Sequence, residues 1–186
     1  TNLDFCASQP QLSGFIARAQ LDFATMDIAT MELGQLMHSG VSMESALSGK
    51  SCVVIANFIF DVLPFDLYRF RRGKVEEGLA TESPSSGGDY SDTGGMTTPK
   101  LDLTFEVLGE AAIRDHEFVD LINYYRKHVS DSVVSIPSVS LRATMSICKL
   151  CSDSLWLIGE EGSSTLESLQ DLKKPNLRAM GGLSTR

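Results

Sequence analysis

Cys52-Val53-Val54-Ile55-Ala56-Asn57-Phe58-Ile59-Phe60 is apolar at every position except Asn57, and rich in β-branched and aromatic side chains. Such a run predicts a strand covered on both faces, the mark of a parallel sheet. Leu155-Trp156-Leu157-Ile158, ending at Gly159, predicts a second, short buried strand. Upstream of it, Val139 to Leu150 predicts a helix that begins after Pro137. On the amino-terminal side, Leu21 to Met26 is a short apolar run ending at Asp27 and reads as a strand, and Glu32 to His38 predicts a helix stopped near Gly40. Strands alternating with helices give an α/β class with a mainly parallel sheet.

Further outward, Phe5 to Ala19 has mixed helical spacing around Pro10, and Asp66 to Phe70 with Lys74 to Leu79 flank Arg72-Gly73 as a hairpin. Leu101, Leu103, Phe105 and Val107 alternate, which predicts a half-exposed strand over Leu101 to Leu108. It and the hairpin read as antiparallel additions. Asp115 to His128 carries Phe118, Leu121, Ile122 and Tyr125 at helical spacing, with Asp115 as the candidate N-cap. Val133 to Ile136 reads as a short strand or connecting loop, and Thr165 to Leu172 as a short helix opened by Ser164 or Thr165. Leu177 to Met180 leads into Gly181-Gly182. Ser83 to Pro99, dense in Ser, Gly, Thr and Asp, has little to bury and reads as a flexible loop inside one domain spanning residues 1–186.

The bulk properties narrow the function classes. A chain of 186 residues suits one domain with a sizeable core. A net charge of −8 disfavours a general nucleic-acid binder, which needs a basic surface to displace counterions. It also disfavours docking on anionic membranes. No apolar run approaches the roughly 20 residues that span a bilayer, so membrane insertion is not expected. Cys6, Cys52, Cys148 and Cys151 are few for a disulfide scaffold of this length and read as reduced thiols of a cytoplasmic or organelle-matrix protein.

Ligands of open α/β sheets bind outside the carboxyl ends of the strands. Asp27 follows the predicted Leu21 strand, and Asn57 and Asp61 fall at the end of the Cys52 strand. A carboxylate there can accept from a ribose hydroxyl or an adenine amino group, and an amide can both donate and accept. The same residues also fit a plainer role, Asp27 capping the helix that follows and Asp61 capping a turn before Pro64. Cys148-Lys149-Leu150-Cys151 is a single CxxC at a predicted helix C-terminus. Zinc wants four ligands and a redox pair favours a helix N-terminus, so it reads as two small buried thiols. His38, His116 and His128 have no partner at metal spacing, and no Ser/His/Asp set is legible. Gly159-Glu160-Glu161-Gly162 reads as a turn whose carboxylates would repel phosphate.

Leu21-Asp22-Phe23-Ala24-Thr25-Met26-Asp27 and Val53-Val54-Ile55-Ala56-Asn57-Phe58-Ile59-Phe60-Asp61-Val62-Leu63-Pro64, taken in order, resemble a family of class I S-adenosylmethionine-dependent methyltransferase-like proteins. The family is related to the mitochondrial arginine methyltransferase that assists respiratory complex I assembly and to its bacterial relatives. The resemblance continues through Asp120 to Tyr125, Ile136 to Leu141, Leu155 to Gly162 and Gly181 to Ser184. It implies a Rossmann-like fold, a mostly parallel sheet of which this chain is the downstream part, with the first two strands and the glycine-rich donor loop lying upstream. It implies S-adenosylmethionine as cofactor, Asp27 with Ile28 near its adenine, and Asn57 beside the sulfonium and the substrate. Asp61 and Pro64 would shape the same rim. Arginine-methylating relatives carry Glu after the Asn; Phe58 stands there in this chain, which weighs against arginine as the acceptor.

Two functions follow as expectations. One is a methyltransferase acting on a nitrogen or oxygen of a protein or small molecule, in the mitochondrial matrix or the cytoplasm, completed by an upstream segment or another chain that supplies the missing strands. The other is an inactive methyltransferase-like scaffold or assembly subunit of a larger complex.

Overall fold

A computed structural model describes residues 2–83, 100–160, 162 and 165–173. The predicted Ser83 to Pro99 loop, beyond Ser83 itself, and the Leu177 to Ser184 segment lie outside the described residues. The chain divides into two compact units, Thr1–Leu63 with Val139–Glu160 and Pro64–Ser138 with Glu161–Arg186. The elements give a mixed α/β chain with one small parallel sheet and antiparallel sheets.

The first unit opens on helices α1 (Asn2–Ala7) and α2 (Ser13–Ala17), on either side of Pro10 as the spacing predicts. Strands β1 (Met26–Asp27) and β2 (Glu32–Leu33) follow as a two-residue antiparallel pair. This corrects two expectations. Leu21 to Thr25 is not a strand, and Glu32 to His38 is not a helix. Leu33, Leu36 and Met37 have helical spacing, but the backbone is claimed elsewhere. Gly34 N–H donates to the Thr25 carbonyl and Met37 N–H to that of Phe23. The Asp22 carboxylate accepts from the N–H groups of His38 and Ser39 at 2.9 and 3.0 Å. A Cβ on Gly34 would lie 2.4 Å from the Thr25 carbonyl oxygen, so only glycine permits this crossing. Helix α3 (Met43–Leu47) starts on Ser42, whose hydroxyl accepts from Ser45 N–H.

Strand β3 (Ser51–Asn57) is the predicted apolar strand. It ends at Asn57; Phe58 turns away at φ 51°, and Phe60–Val62 form one 3-10 turn.

The second unit carries a four-stranded sheet. Strands β4 (Asp66–Arg71) and β5 (Lys74–Ser83) form the predicted hairpin, with Arg72 and Gly73 both at positive φ as a type I′ turn demands. Strand β6 (Lys100–Val107) pairs antiparallel with β5, so Ser83 stands opposite Lys100. The sequence pattern predicts one helix from Asp115 to His128; there are two, α4 (Glu110–Arg114) and α5 (Val119–His128). Asp115 closes α4 rather than capping α5. His116 Nδ1 accepts the Phe118 N–H at the start of α5, a role the sequence did not suggest. Strand β7 (Ser132–Ile136) joins β4 antiparallel, giving the order β6-β5-β4-β7.

Helix α6 (Ser138–Leu150) then leads back into the first unit and to β8 (Asp153–Gly159), which pairs in parallel with β3 from Ser51↔Asp153 to Asn57↔Gly159. Helix α7 (Leu166–Leu169) belongs to the second unit; it is shorter than the expected Thr165 to Leu172, and of the two expected openers Thr165 caps it. There the Leu172 carbonyl accepts Val133 N–H, and Leu172 N–H donates to Ser132 Oγ, covering the outer edge of β7.

The second unit holds most of the core: Tyr68, Phe70, Val75, Val134 and Ile136 on one sheet face, with Ile113, Phe118 and Ile122 from the helices. Gly78 is needed in β5 because a Cβ there would meet Leu67 at 2.8 Å and Phe105 at 3.0 Å. In the first unit α6 sends Val139, Ala143 and Ile147, four residues apart, into its interior, and Cys151 just beyond its end is buried too. The other face of the β3–β8 pair is open. Val53, Ile55, Leu155 and Leu157 are 61%, 72%, 58% and 51% exposed. The expectation of two strands buried on both faces is therefore corrected: α6 covers one face, and no described residue covers the other.

Candidate functional site

Strands β3 and β8 run in parallel and end side by side, which places Asn57 directly opposite Gly159. Beyond that line the two loops are tied together. Phe58 N–H donates to the Gly159 carbonyl at 2.9 Å. The Glu160 Oε1 atom accepts from the N–H groups of Ile59 and Phe60 at 2.9 and 2.8 Å. Ser140 Oγ, in the first turn of α6, donates to the Phe60 carbonyl at 3.4 Å. The bend at Phe58 puts a bulky side chain in the left-handed region, a strained conformation that these contacts hold in place.

Gly159 has a steric reason to be glycine. A Cβ there would lie 2.5 Å from Asn57 Oδ1. Asn57 and Gly159 line an open, shallow depression of about 420 Å³ together with Ile55, Trp156, Leu157 and Ile158. The lining is one neutral amide among apolar side chains. It suits a ligand part that is flat or aliphatic and makes one or two hydrogen bonds. No carboxylate lines this hollow among the described residues.

Asp27 lies elsewhere in the same unit. It lines a second hollow, of about 470 Å³, with Thr25, Met26, Glu32, Leu33 and Gly34. The two hollows share no residue. Asp27 Oδ1 accepts from Ala29 N–H at 2.8 Å and Thr30 N–H at 3.1 Å, so its carboxylate caps the turn between β1 and β2. Ile28, half-buried in that turn, does not line the hollow. Asp61 is exposed within the 3-10 turn. The carboxylate that caps this turn is that of Glu160.

Two carboxylates thus matter that the sequence did not single out. In the sequence Glu160 reads as part of a turn, but its carboxylate bridges two loops a hundred residues apart. Its Oε2 atom is buried and has no hydrogen-bond partner among the described residues. For Asp22, loss of solvent raises the carboxyl. The N–H groups of His38, Phe23 and Ser39 and the Ser39 hydroxyl override that and hold it well below the ordinary carboxylate range. Neither role carries a local sequence signal, because each depends on a partner distant along the chain.

The Cys148-x-x-Cys151 reading needs correction in one half. Cys151 is buried, but Cys148 is exposed on α6 with its sulfur 3.4 Å from Ser154 Oγ. The sulfur that does meet Cys151 is that of Cys52 on β3, at 3.0 Å. Among the described residues no group of three or more His, Cys, Asp or Glu side chains could hold a metal ion. No helix among them is long and apolar enough to cross a membrane.

No protein-family model, curated protein or solved structure matches this chain.

Proposed function

We propose that the carboxyl ends of β3 and β8 form one half of an S-adenosylmethionine site in a class I methyltransferase-like domain, completed by polypeptide outside the described residues. The observation that carries this reading is the juxtaposition of Asn57 and Gly159 at the ends of two adjacent parallel strands, beside an open, shallow depression. Parallel α/β sheets bind ligands at that edge. The order of sequence blocks around Asn57 and Pro64, resembling the methyltransferase-like family, points to the donor.

The residues present fit the hydrophobic and amide-contacting part of such a ligand. When bound, the donor supplies a methyl group on a positively charged sulfur. The chain's own part is alignment. The Asn57 amide offers an NH2 donor and a carbonyl acceptor, Gly159 leaves the room for approach, and Glu160 fixes the loop that carries Phe58. In-line methyl transfer needs orientation more than a strong base, and the acceptor would be a nitrogen or oxygen of a protein or small molecule.

One observation favours a second reading, an inactive scaffold or assembly subunit. The face of Val53, Ile55, Leu155 and Leu157 is apolar, and the sheet beneath it has only two strands among the described residues. Parallel sheets are otherwise covered on both faces, so another polypeptide would pack against that face. Calorimetric titration with S-adenosylmethionine separates the two. Saturable binding that Asn57→Ala weakens about tenfold or more, roughly 1.4 kcal/mol, supports the enzyme. No heat, from this chain or from a longer natural polypeptide containing it, makes the scaffold the better reading.

A further inference from the structure

We propose that Cys52 and Cys151 are an oxidation site, a dithiol that closes to an intrachain disulfide by exchange with a low-molecular-weight disulfide such as oxidised glutathione. The inference is independent of the methyl-donor reading. It stands on geometry that no sequence motif announces. Cys52 is the second residue of β3, and Cys151 follows the last residue of α6. They are separated by 99 positions, yet their sulfurs lie 3.0 Å apart. That is about 1 Å from the roughly 2.05 Å of a disulfide bond. The site is braced on both sides. Lys50 carbonyl accepts Ser152 N–H at 3.0 Å, and Gly49 N–H donates to the Leu150 carbonyl at 2.9 Å. Ser51 and Ser152 hydroxyls meet at 3.5 Å. The two sulfurs are therefore held against each other by the start of the β3–β8 ladder rather than by chance encounter.

The two thiols are unequal, which sets the order of events. Cys52 is half-buried and can be reached, whereas Cys151 is buried. The contact with Cys52, then burial, push the Cys151 thiol up to about 11. Cys151 is thus protonated at neutral pH and poorly placed to react first with an outside molecule. The Cys52 thiolate attacks one sulfur of the small disulfide, forming a mixed disulfide and releasing one small thiolate. Cys151 then gives its proton to water, and its sulfur attacks that of Cys52, releasing the second small thiolate. The protein thiols lose two electrons in all, and the small disulfide gains them. Cys148, exposed and turned toward Ser154, takes no part, and neither does Cys6 on α1.

The test incubates the native full chain in mixtures of reduced and oxidised glutathione, quenches in acid, alkylates and maps the peptides by mass. The expected result is loss of two of the four free thiols, with the Cys52 and Cys151 peptides linked and Cys6 and Cys148 alkylated. Cys151→Ser should instead accumulate glutathione on Cys52. Because that variant could fold poorly, Cys6→Ser/Cys148→Ser, which keeps both thiols of the pair, provides the second arm. It should go from two free thiols to none as a monomer and melt at a higher temperature when oxidised, reversed by dithiothreitol. The proposal is overturned if the linkage maps to Cys148–Cys151. It is equally overturned if the double variant keeps two thiols under oxidation, or if the bond forms only in denaturant.

Discussion

The two units make opposite use of apolar residues. In the second, strands β4, β5 and β7 and helices α4 and α5 bury Tyr68, Phe70, Val75, Ile122, Val133 and Ile136 almost completely. Polar groups at its margin are paired. Tyr68 hydroxyl meets His116 Nε2 at 2.9 Å, Arg69 pairs with Glu76 and lies over the Phe105 ring, and Arg126 grips Glu110. In the first, β3 and β8 are as apolar as any strand of the chain, yet half of their side chains face outward. Parallel sheets are ordinarily covered on both faces, and a contiguous exposed apolar patch is uncommon. The second unit has the features of a finished fold. The first leaves the β3–β8 face bare among the described residues, with Asn57, Gly159 and the Glu160 brace at the carboxyl ends of those strands.

The contrast predicts unequal responses to substitution. The largest belongs to the second unit: Phe70→Ala, emptying the middle of its sheet, should lower stability by about 3–5 kcal/mol in denaturant unfolding. A loss below about 1 kcal/mol would mean that this unit's core is not close-packed.

Next is Gly159→Ala at the edge of the first unit. Its methyl group would meet Asn57 Oδ1, and the expected loss is about 1–3 kcal/mol. The double variant Asn57→Ala/Gly159→Ala should recover most of it, because removing the amide removes the clash. Additive losses would instead place the strain in the backbone.

Smaller and local is the effect of Asp22→Asn. The His38 and Ser39 amide protons should exchange faster with solvent in the variant, while those of β4 keep their protection. The folded carboxyl is held below its ordinary value, so the clamp's contribution is full above the unfolded pKa of about 3.9. It is lost as pH falls through the lower folded value. The His38 and Ser39 amide resonances, followed by NMR through an acid titration, should move with that lower value. Movement at the ordinary carboxylate value would show that the clamp does not hold in solution.

The smallest expected effect is the most telling. Ile55→Ser, on the bare face, should change stability by less than about 0.5 kcal/mol. A loss near that of Phe70→Ala would show the face to be covered in solution, and sedimentation of the same sample would reveal whether a second copy does so.

Much of the architecture was legible from local pattern. The Arg72-Gly73 hairpin, the alternating Leu101 strand, the helix after Pro137, and the strands at Cys52 and Leu155 all follow from periodicity and turn chemistry acting over a few residues. Asn57 was legible as a strand-end amide for the same reason. In the amino-terminal stretch the helical spacing of Leu33, Leu36 and Met37 competes with hydrogen bonds that cross from Phe23, Thr25 and the Asp22 carboxylate, and the hydrogen bonds prevail. One helix became two where His116 supplied a cap that spacing cannot show. Nor could composition say which apolar strand would be covered, since burial depends on what packs against a strand and not on the strand itself.

The order of strands and helices, their apolar character and the acidic surface are thus properties of the sequence, because they arise from neighbours along the chain. The pairing of Asn57 with Gly159, the Glu160 brace, the meeting of Cys52 with Cys151 and the bare face of β3 and β8 belong to the tertiary structure. Each joins positions about a hundred residues apart, and only the parallel register of β3 and β8 sets which of them meet.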